Sequence, residues 1–221
     1  MIVSPGALFH RLLDRRADHL AGRLVPHLRA GASLLDVGSG TGHNARALQL
    51  RSGGPCLETD VVDFHVVGPG PILFDGSRLA FPDDVVDVCM LAFVLSYTAD
   101  PAGLLRDAGR VASRRVLLLQ STCRGPWSRT ALHCRSWLQG ALAFRLCRAL
   151  GLIPPAKSWL RPRRLFAREE VEAIIAEAGL TLVGVEAEPG FAAAISRDLF
   201  ILDRRPATGD HPRDSWDFQS L

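Results

Sequence analysis

The chain has 221 residues, 48% of them hydrophobic and 22% charged, with a formal net charge of +3. That length and apolar content suit one substantial core and require no second domain. The small net charge makes no case for a nucleic-acid partner on its own, and no apolar run reaches the roughly 18 residues that a membrane span needs.

In chain order, Leu8, Leu12, Leu13, Leu20 and Leu24 recur near every fourth position, which predicts a first helix over residues 7–28, placed as an N-terminal cover (residues 1–30). Leu34, Leu35 and Val37, interrupted by Asp36, read as a buried parallel strand. The strand runs into Gly38-Ser39-Gly40-Thr41-Gly42, where glycine allows a sharp turn and close approach of a ligand. The dinucleotide fingerprint GxGxxG is the nearest competitor; His43 occupies its third glycine position, so NAD and FAD are disfavoured. A second strand, Cys56 to Asp60, ends in an acid about twenty residues past the turn, where doubly wound folds present a carboxylate to a ribose. Asp63 is the fallback if that strand runs longer. Asp75-Gly76 marks a turn, residues 85–95 read as the fourth strand and its following loop, and Asp100-Pro101 opens a helix. Residues 115–120 form the fifth strand. Residues 168–179 read as a helix with acids in its first turn and a terminating glycine, followed by strands over 180–187 and 195–203. The tail from Arg204 has no periodicity and is expected to be mobile.

The stretch Leu34 to Gly42, an acid followed by GxGxG, resembles motif I of the class I S-adenosylmethionine-dependent methyltransferases, and the order of the downstream motifs extends that resemblance over residues 33–203. It implies an α/β fold: a doubly wound, mostly parallel seven-stranded sheet closed by an antiparallel hairpin strand, with a helical insert after the fifth strand. The cofactor implied is S-adenosyl-L-methionine. The positions that match the family's cofactor site are Asp36, Gly38, Ser39, Gly40 and Gly42 at the turn, and Asp60 with Val61 at the ribose. Asp75 with Gly76 falls at adenine, and Leu91, Ala92 and Phe93 line the methionine part. Ser96-Tyr97 stands where many relatives carry a histidine pair, and no Asn-Pro-Pro-Tyr follows the fourth strand, which argues against exocyclic base-amine methylation. The remaining candidates for a catalytic base are His10, His43, Tyr97 and His133.

Cys56, Cys89, Cys123, Cys134 and Cys147 are odd in number and contain no CxxC pair, so neither a disulfide framework nor a metal site is expected. His10, Arg11, Asp14, Arg15 and Arg16 interrupt any secretory apolar region, which points to the cytoplasm. From Ala108 to Arg168 there is no Asp or Glu, while Arg124, Arg129, Arg135, Arg145, Arg148, Lys157, Arg161, Arg163 and Arg164 cluster with Trp127, Trp137, Phe144 and Trp159. Three readings of this insert (residues 122–167) stay open: a solvated helical cap, a lid that meets a lipid-like substrate or an anionic membrane surface, and an RNA-binding segment. The expectation is a methyltransferase acting on a small, partly apolar metabolite or lipid-like acceptor, without nucleic acid. A cofactor-binding but inactive scaffold is the alternative.

Overall fold

In the computed structural model the described residues are 5–123, 146, 164–189 and 195–204. Helix α1 (Pro5–Leu24) leads through a short 3-10 turn (Val25–His27) to strand β1 (Leu34–Val37). Then come α2 (His43–Ser52), β2 (Cys56–Asp60), β3 (Ile72–Leu73), β4 (Val86–Ala92), α3 (Pro101–Val111) and β5 (Ala112–Cys123). Beyond the insert lie β6 (Phe166–Ala167), α4 (Arg168–Glu177), β7 (Leu180–Pro189) and β8 (Ile195–Arg204). The first helix ends four residues before the predicted boundary because Pro26 has no N–H to donate and its ring meets the preceding turn.

The sheet order is β3-β2-β1-β4-β5-β8-β7. Its β1, β2, β3, β4 and β5 pairings are parallel, and β8 runs antiparallel between β5 and β7. This is the expected seven-strand path. Off this path a two-residue strand, β6, pairs with the end of β5, Thr122 with Phe166 and Cys123 with Ala167. Thr122, Cys123, Phe166 and Ala167, at the two ends of the insert, are therefore strand. Between residues 124 and 163 only Leu146 is described, and it is helical and exposed; His133 and the basic residues from Arg124 to Arg163 lie outside the described residues, as do 205–221. β8 itself continues to Arg204, one residue past the expected end.

Strand periodicity divides the core. On one face Leu35, Val37, Cys89, Leu91, Val116, Leu118, Phe200 and Leu202 pack with Leu105 of α3 and Ile175 of α4. On the other, Leu34, Val88, Met90, Leu117, Leu119, Leu199 and Ile201 pack with Leu20 and Leu24 of α1 and Leu48 of α2. Alternation therefore puts Asp36, Glu58 and Asp60 on the α1/α2 face, in the layer below the glycine turn. Caps fix two helix starts: Asp100 Oδ1 accepts from Gly103 N at 2.8 Å, and Glu170 Oε2 accepts from Ala167 N at 2.7 Å.

Phe200 is fully buried between β5 and β7, in the larger core. Its replacement by Ala should cost about 3–5 kcal/mol. Denaturant unfolding should show this as a lower midpoint with unchanged slope.

Candidate functional site

β1 lies between β2 and β4, so the chain order reverses there, and its carboxyl end is where open α/β sheets bind ligands. The turn that follows uses three glycines in the left-handed region, Gly38 at φ +75, Gly40 at +58 and Gly42 at +81. At two of them space is as limiting as φ: a Cβ on Gly38 would collide with the Val94 side chain, and one on Gly42 with the Val67 carbonyl oxygen. At Gly40 a Cβ would meet nothing within 4 Å, so the middle of the turn is open.

The turn is tied to β2 by Gly38 N and Ser39 N, which donate to Thr59 O at 2.8 and 3.2 Å. Asp60 bridges the same elements, accepting from Gly40 N at 2.9 Å and from Val61 N at 2.7 Å. An ionised carboxylate has about four acceptor sites, so each oxygen keeps capacity for a ligand hydroxyl. The Asp75-Gly76 turn adjoins this corner: Phe74 N donates to Asp60 O at 3.1 Å. Asp75 is exposed, and its Oδ1 accepts from Ser77 Oγ and N at 2.6 and 2.8 Å, bonds that hold its carboxyl below the usual range. Asp63, the fallback, accepts from His65 N at 2.9 Å and orders the loop.

After β4, Leu91 is fully buried in the core, while Phe93 adopts φ +63, unusual for an aromatic residue and a form of strain found at ligand sites. The Arg16 guanidinium of α1 sits 5.3 Å from the centre of the Phe93 ring, so the first helix does extend over the end of β4. Ser96 is buried and accepts from Gln120 Nε2 at 2.9 Å, and Tyr97 is 41% exposed. Neither forms the equivalent of a histidine pair.

Two of the catalytic candidates do come together. His10 Nδ1 lies 3.4 Å from His43 Nε2, and His43 Nδ1 lies 2.9 Å from Thr41 Oγ1. Asp14 is 3.9 Å from His43 Nε2. His43 is buried, and desolvation lowers its pKa despite the nearby Asp14 carboxylate. The other hydroxyl of the turn, Ser39 Oγ, is 3.0 Å from His65 Nε2, a residue that sequence reasoning passed over. Glu58 was missed as well; a charged residue in the middle of a buried parallel strand was the available signal.

Asp36 is fully buried, and neither of its oxygens has a hydrogen-bond partner. Burial, with the Glu58 and Asp60 carboxylates adding to it, holds its pKa well above the ordinary range. An orphaned buried carboxyl at the base of an open glycine turn, beside a carboxylate with spare acceptor capacity, fits a ligand that carries positive charge and vicinal hydroxyls. Among the described residues no group of three or more His, Cys, Asp or Glu could hold a metal ion. No helix among them is long and apolar enough to cross a membrane.

A glycine turn at the switch point, an acid closing β2 and an antiparallel strand inserted beside β5 together define a nucleotide-cofactor α/β domain of the methyltransferase kind. The methyltransferase domain model matches residues 9–185, and the chain belongs to the class I S-adenosylmethionine-dependent methyltransferase family, whose cofactor is S-adenosylmethionine. It is 28% identical over 186 residues to the ubiquinone/menaquinone biosynthesis C-methyltransferase UbiE of Caulobacter sp. (strain K31), covering 75% of this chain and 67% of that protein. It is 32% identical over 124 residues to an uncharacterized methyltransferase of Mycobacterium marinum, over 52% of this chain and about half (49%) of the relative. Among solved structures, magnesium protoporphyrin IX methyltransferase from Synechocystis PCC 6803 with bound SAH superposes with a TM-score of 0.57 at 15% identity, covering 93% of this chain and 90% of that one. That likeness is one of fold.

Gly42→Ala would place a side chain at φ +81 against the Val67 carbonyl. It should lower stability by about 1–3 kcal/mol, the usual cost of such strain. Thermal melting checks this, and a variant as stable as the parent would contradict the described packing.

Proposed function

We propose that this methyltransferase transfers a methyl group to a small, partly apolar or lipid-like acceptor. The observation that carries cofactor use is the open glycine turn facing Asp60, with Asp36 orphaned beneath it. The acceptor class draws support from the Caulobacter relative, whose name places it in ubiquinone/menaquinone biosynthesis, and from the apolar residues interleaved through the basic insert.

In this reading Asp60, with Val61 beside it, accepts the ribose hydroxyls, and Asp75 and Gly76 border the adenine. Asp36, Gly38, Ser39, Gly40 and Gly42 hold the amino-acid portion from below, while the backbone from Leu91 to Phe93 lines its far side. When bound, S-adenosylmethionine supplies an already activated sulfonium methyl, so the residues of this chain need chiefly to align the acceptor and exclude water. Helix α1, lying over Phe93 through Arg16, serves as the cover. Where the acceptor needs deprotonation, His10 is the base: His43 is buried and contacted by both Thr41 and His10, which leaves it to orient His10. Replacing His10 by Gln should then slow labelled-methyl transfer by about 10²-fold or more, a typical general-base contribution, with cofactor affinity unchanged. Equal turnover would remove His10 from the chemistry. The buried, hydrogen-bonded Ser96 favours a second reading, a cofactor-binding scaffold without turnover.

Calorimetry should detect S-adenosylmethionine and S-adenosylhomocysteine and give no signal with NAD. Asp60→Ala should weaken binding by about 1.5–3 kcal/mol, the range for hydrogen bonds to charged groups, which is tenfold or more. NAD binding without a response to either sulfur ligand would sink the proposal. A loss in Asp63→Ala but not in Asp60→Ala would move the ribose site by three residues.

A further inference from the structure

Helix α1 carries charged residues on both flanks of its buried stripe, Ala17, Leu20, Ala21 and Leu24, and the two flanks face different elements. With about 100° of rotation between successive residues, His10, Asp14 and Asp18 fall on the flank toward α2. His10 and Asp14 approach His43 there, and Asp18 pairs with Arg51 at 2.7 Å. Arg16, His19 and Arg23 fall on the opposite flank, toward β7 and β8. Arg23 Nη1 donates to Glu188 Oε2 at 2.9 Å and to Arg197 O at 3.2 Å, and its Nη2 donates to Glu186 O at 2.9 Å. These bonds seat the helix on the β7–β8 hairpin. They carry Arg16, about two turns earlier, out over the carboxyl end of β4, where its guanidinium lies 5.3 Å from the centre of the Phe93 ring.

The acids of this flank are already committed. Glu188 is shared by His19 at 3.1 Å, Arg23 at 2.9 Å and Arg197 at 3.0 Å, and Glu186 Oε1 is 2.9 Å from His27 Nε2. Asp198 belongs to the other face of the sheet, where it accepts from Thr122 and Arg168. Arg16 is left without a carboxylate: among the described residues it forms no ion pair and no hydrogen bond. Partial desolvation, and after it the like charge of Arg197, lower its pKa, with Tyr97 acting in the opposite sense. The residue retains solvent access. Its position is thus an uncompensated positive one at the mouth of the site, braced by an aromatic face and open to a ligand.

We infer that Arg16 is a specificity-determining residue that binds an anionic oxygen group of the methyl acceptor, a carboxylate or a phosphate, with Arg197 adding to the field. This rests on the methyl-donor reading of the glycine turn, in which the acceptor approaches past the backbone from Leu91 to Phe93. A guanidinium stacked on an aromatic ring keeps its planar fork of N–H donors free at the edge. That fork matches either anion with two parallel hydrogen bonds. Tyr97, 41% exposed, offers ring surface to the apolar part of the same molecule. The acceptor class narrows accordingly, from a partly apolar molecule to an amphipathic acid.

The test uses the full chain saturated with S-adenosylhomocysteine and titrated calorimetrically with benzoate, phenyl phosphate and uncharged benzamide. At least one of the two anions should bind and benzamide should not, and the anion preferred tells a carboxylate acceptor from a phosphate one. Arg16→Gln should weaken that binding about tenfold or more, as expected for losing a hydrogen bond between charged groups, with S-adenosylhomocysteine affinity and melting temperature unchanged. Arg15→Gln removes the same charge from the outward side of α1 and should bind as the parent does. In labelled-methyl transfer, the component of a small-molecule extract that takes the label should be retained by an anion-exchange resin at pH 8, and Arg16→Gln should label it about tenfold more slowly. Benzamide bound as well as the anions, neither anion bound, Arg16→Gln equal to the parent, or label taken only from the unretained fraction overturns the assignment. A parent that does not bind S-adenosylhomocysteine instead overturns the methyl-donor reading, and this inference with it.

Discussion

Everything at the candidate site depends on the chain leaving β1 and entering α2 within five residues, at the place where the order of the parallel strands reverses. Right-handed backbone cannot make that turn, so three residues take positive φ. At two of them the neighbouring Val94 side chain and Val67 carbonyl forbid any Cβ. Gly38, Ser39 and Gly40 direct their amides to β2, to the Thr59 carbonyl and the Asp60 carboxylate. The turn and the end of β2 are therefore one unit, and the acid that would meet a ribose is oriented by the glycine loop itself.

Much of this was legible from residue order. Apolar runs located β1, β4 and β5, because strands buried on both faces leave no polar alternation to confuse the reading, and β2 was placed by its closing acid about twenty residues past the glycine turn. The Asp100-Pro101 start of α3 and the Gly179 end of α4 followed from capping chemistry. Boundaries set by tertiary contact were less legible. Nothing local marks Phe166 and Ala167 as a strand, since two residues are strand only through pairing with Thr122 and Cys123. His65 was invisible for a similar reason: its meaning comes from contacts with Ser39, 26 positions away, and with Glu58. His10 and His43 were each nominated singly, and only the packing of α1 against α2 brings them together.

A cofactor that carries positive charge would favour ionisation of the carboxyls below the turn, Asp36 above all, whose pKa burial now raises. Asp36, Glu58 and Asp60 form a layer below the turn, and the cations paired with acids elsewhere lie at other places. Arg110 bridges Asp83 and Asp107, Arg115 holds Asp203, and Arg168 holds the buried Asp198 at the return from the insert. The imidazoles next to the turn, His43 and His65, are both biased toward the neutral form by desolvation, so they brace its two hydroxyl residues without cancelling that field. Catalysis by alignment asks for such a site, rigid where the cofactor would lie.

The central claim is that this domain turns over and does not merely hold its cofactor. Incubating the purified protein with S-adenosylmethionine labelled in its methyl group and a small-molecule extract, then following the label by mass spectrometry, tests it directly. The account predicts label in an extract-derived product together with accumulating S-adenosylhomocysteine. Stoichiometric retention of intact labelled cofactor, with no S-adenosylhomocysteine formed, would contradict it.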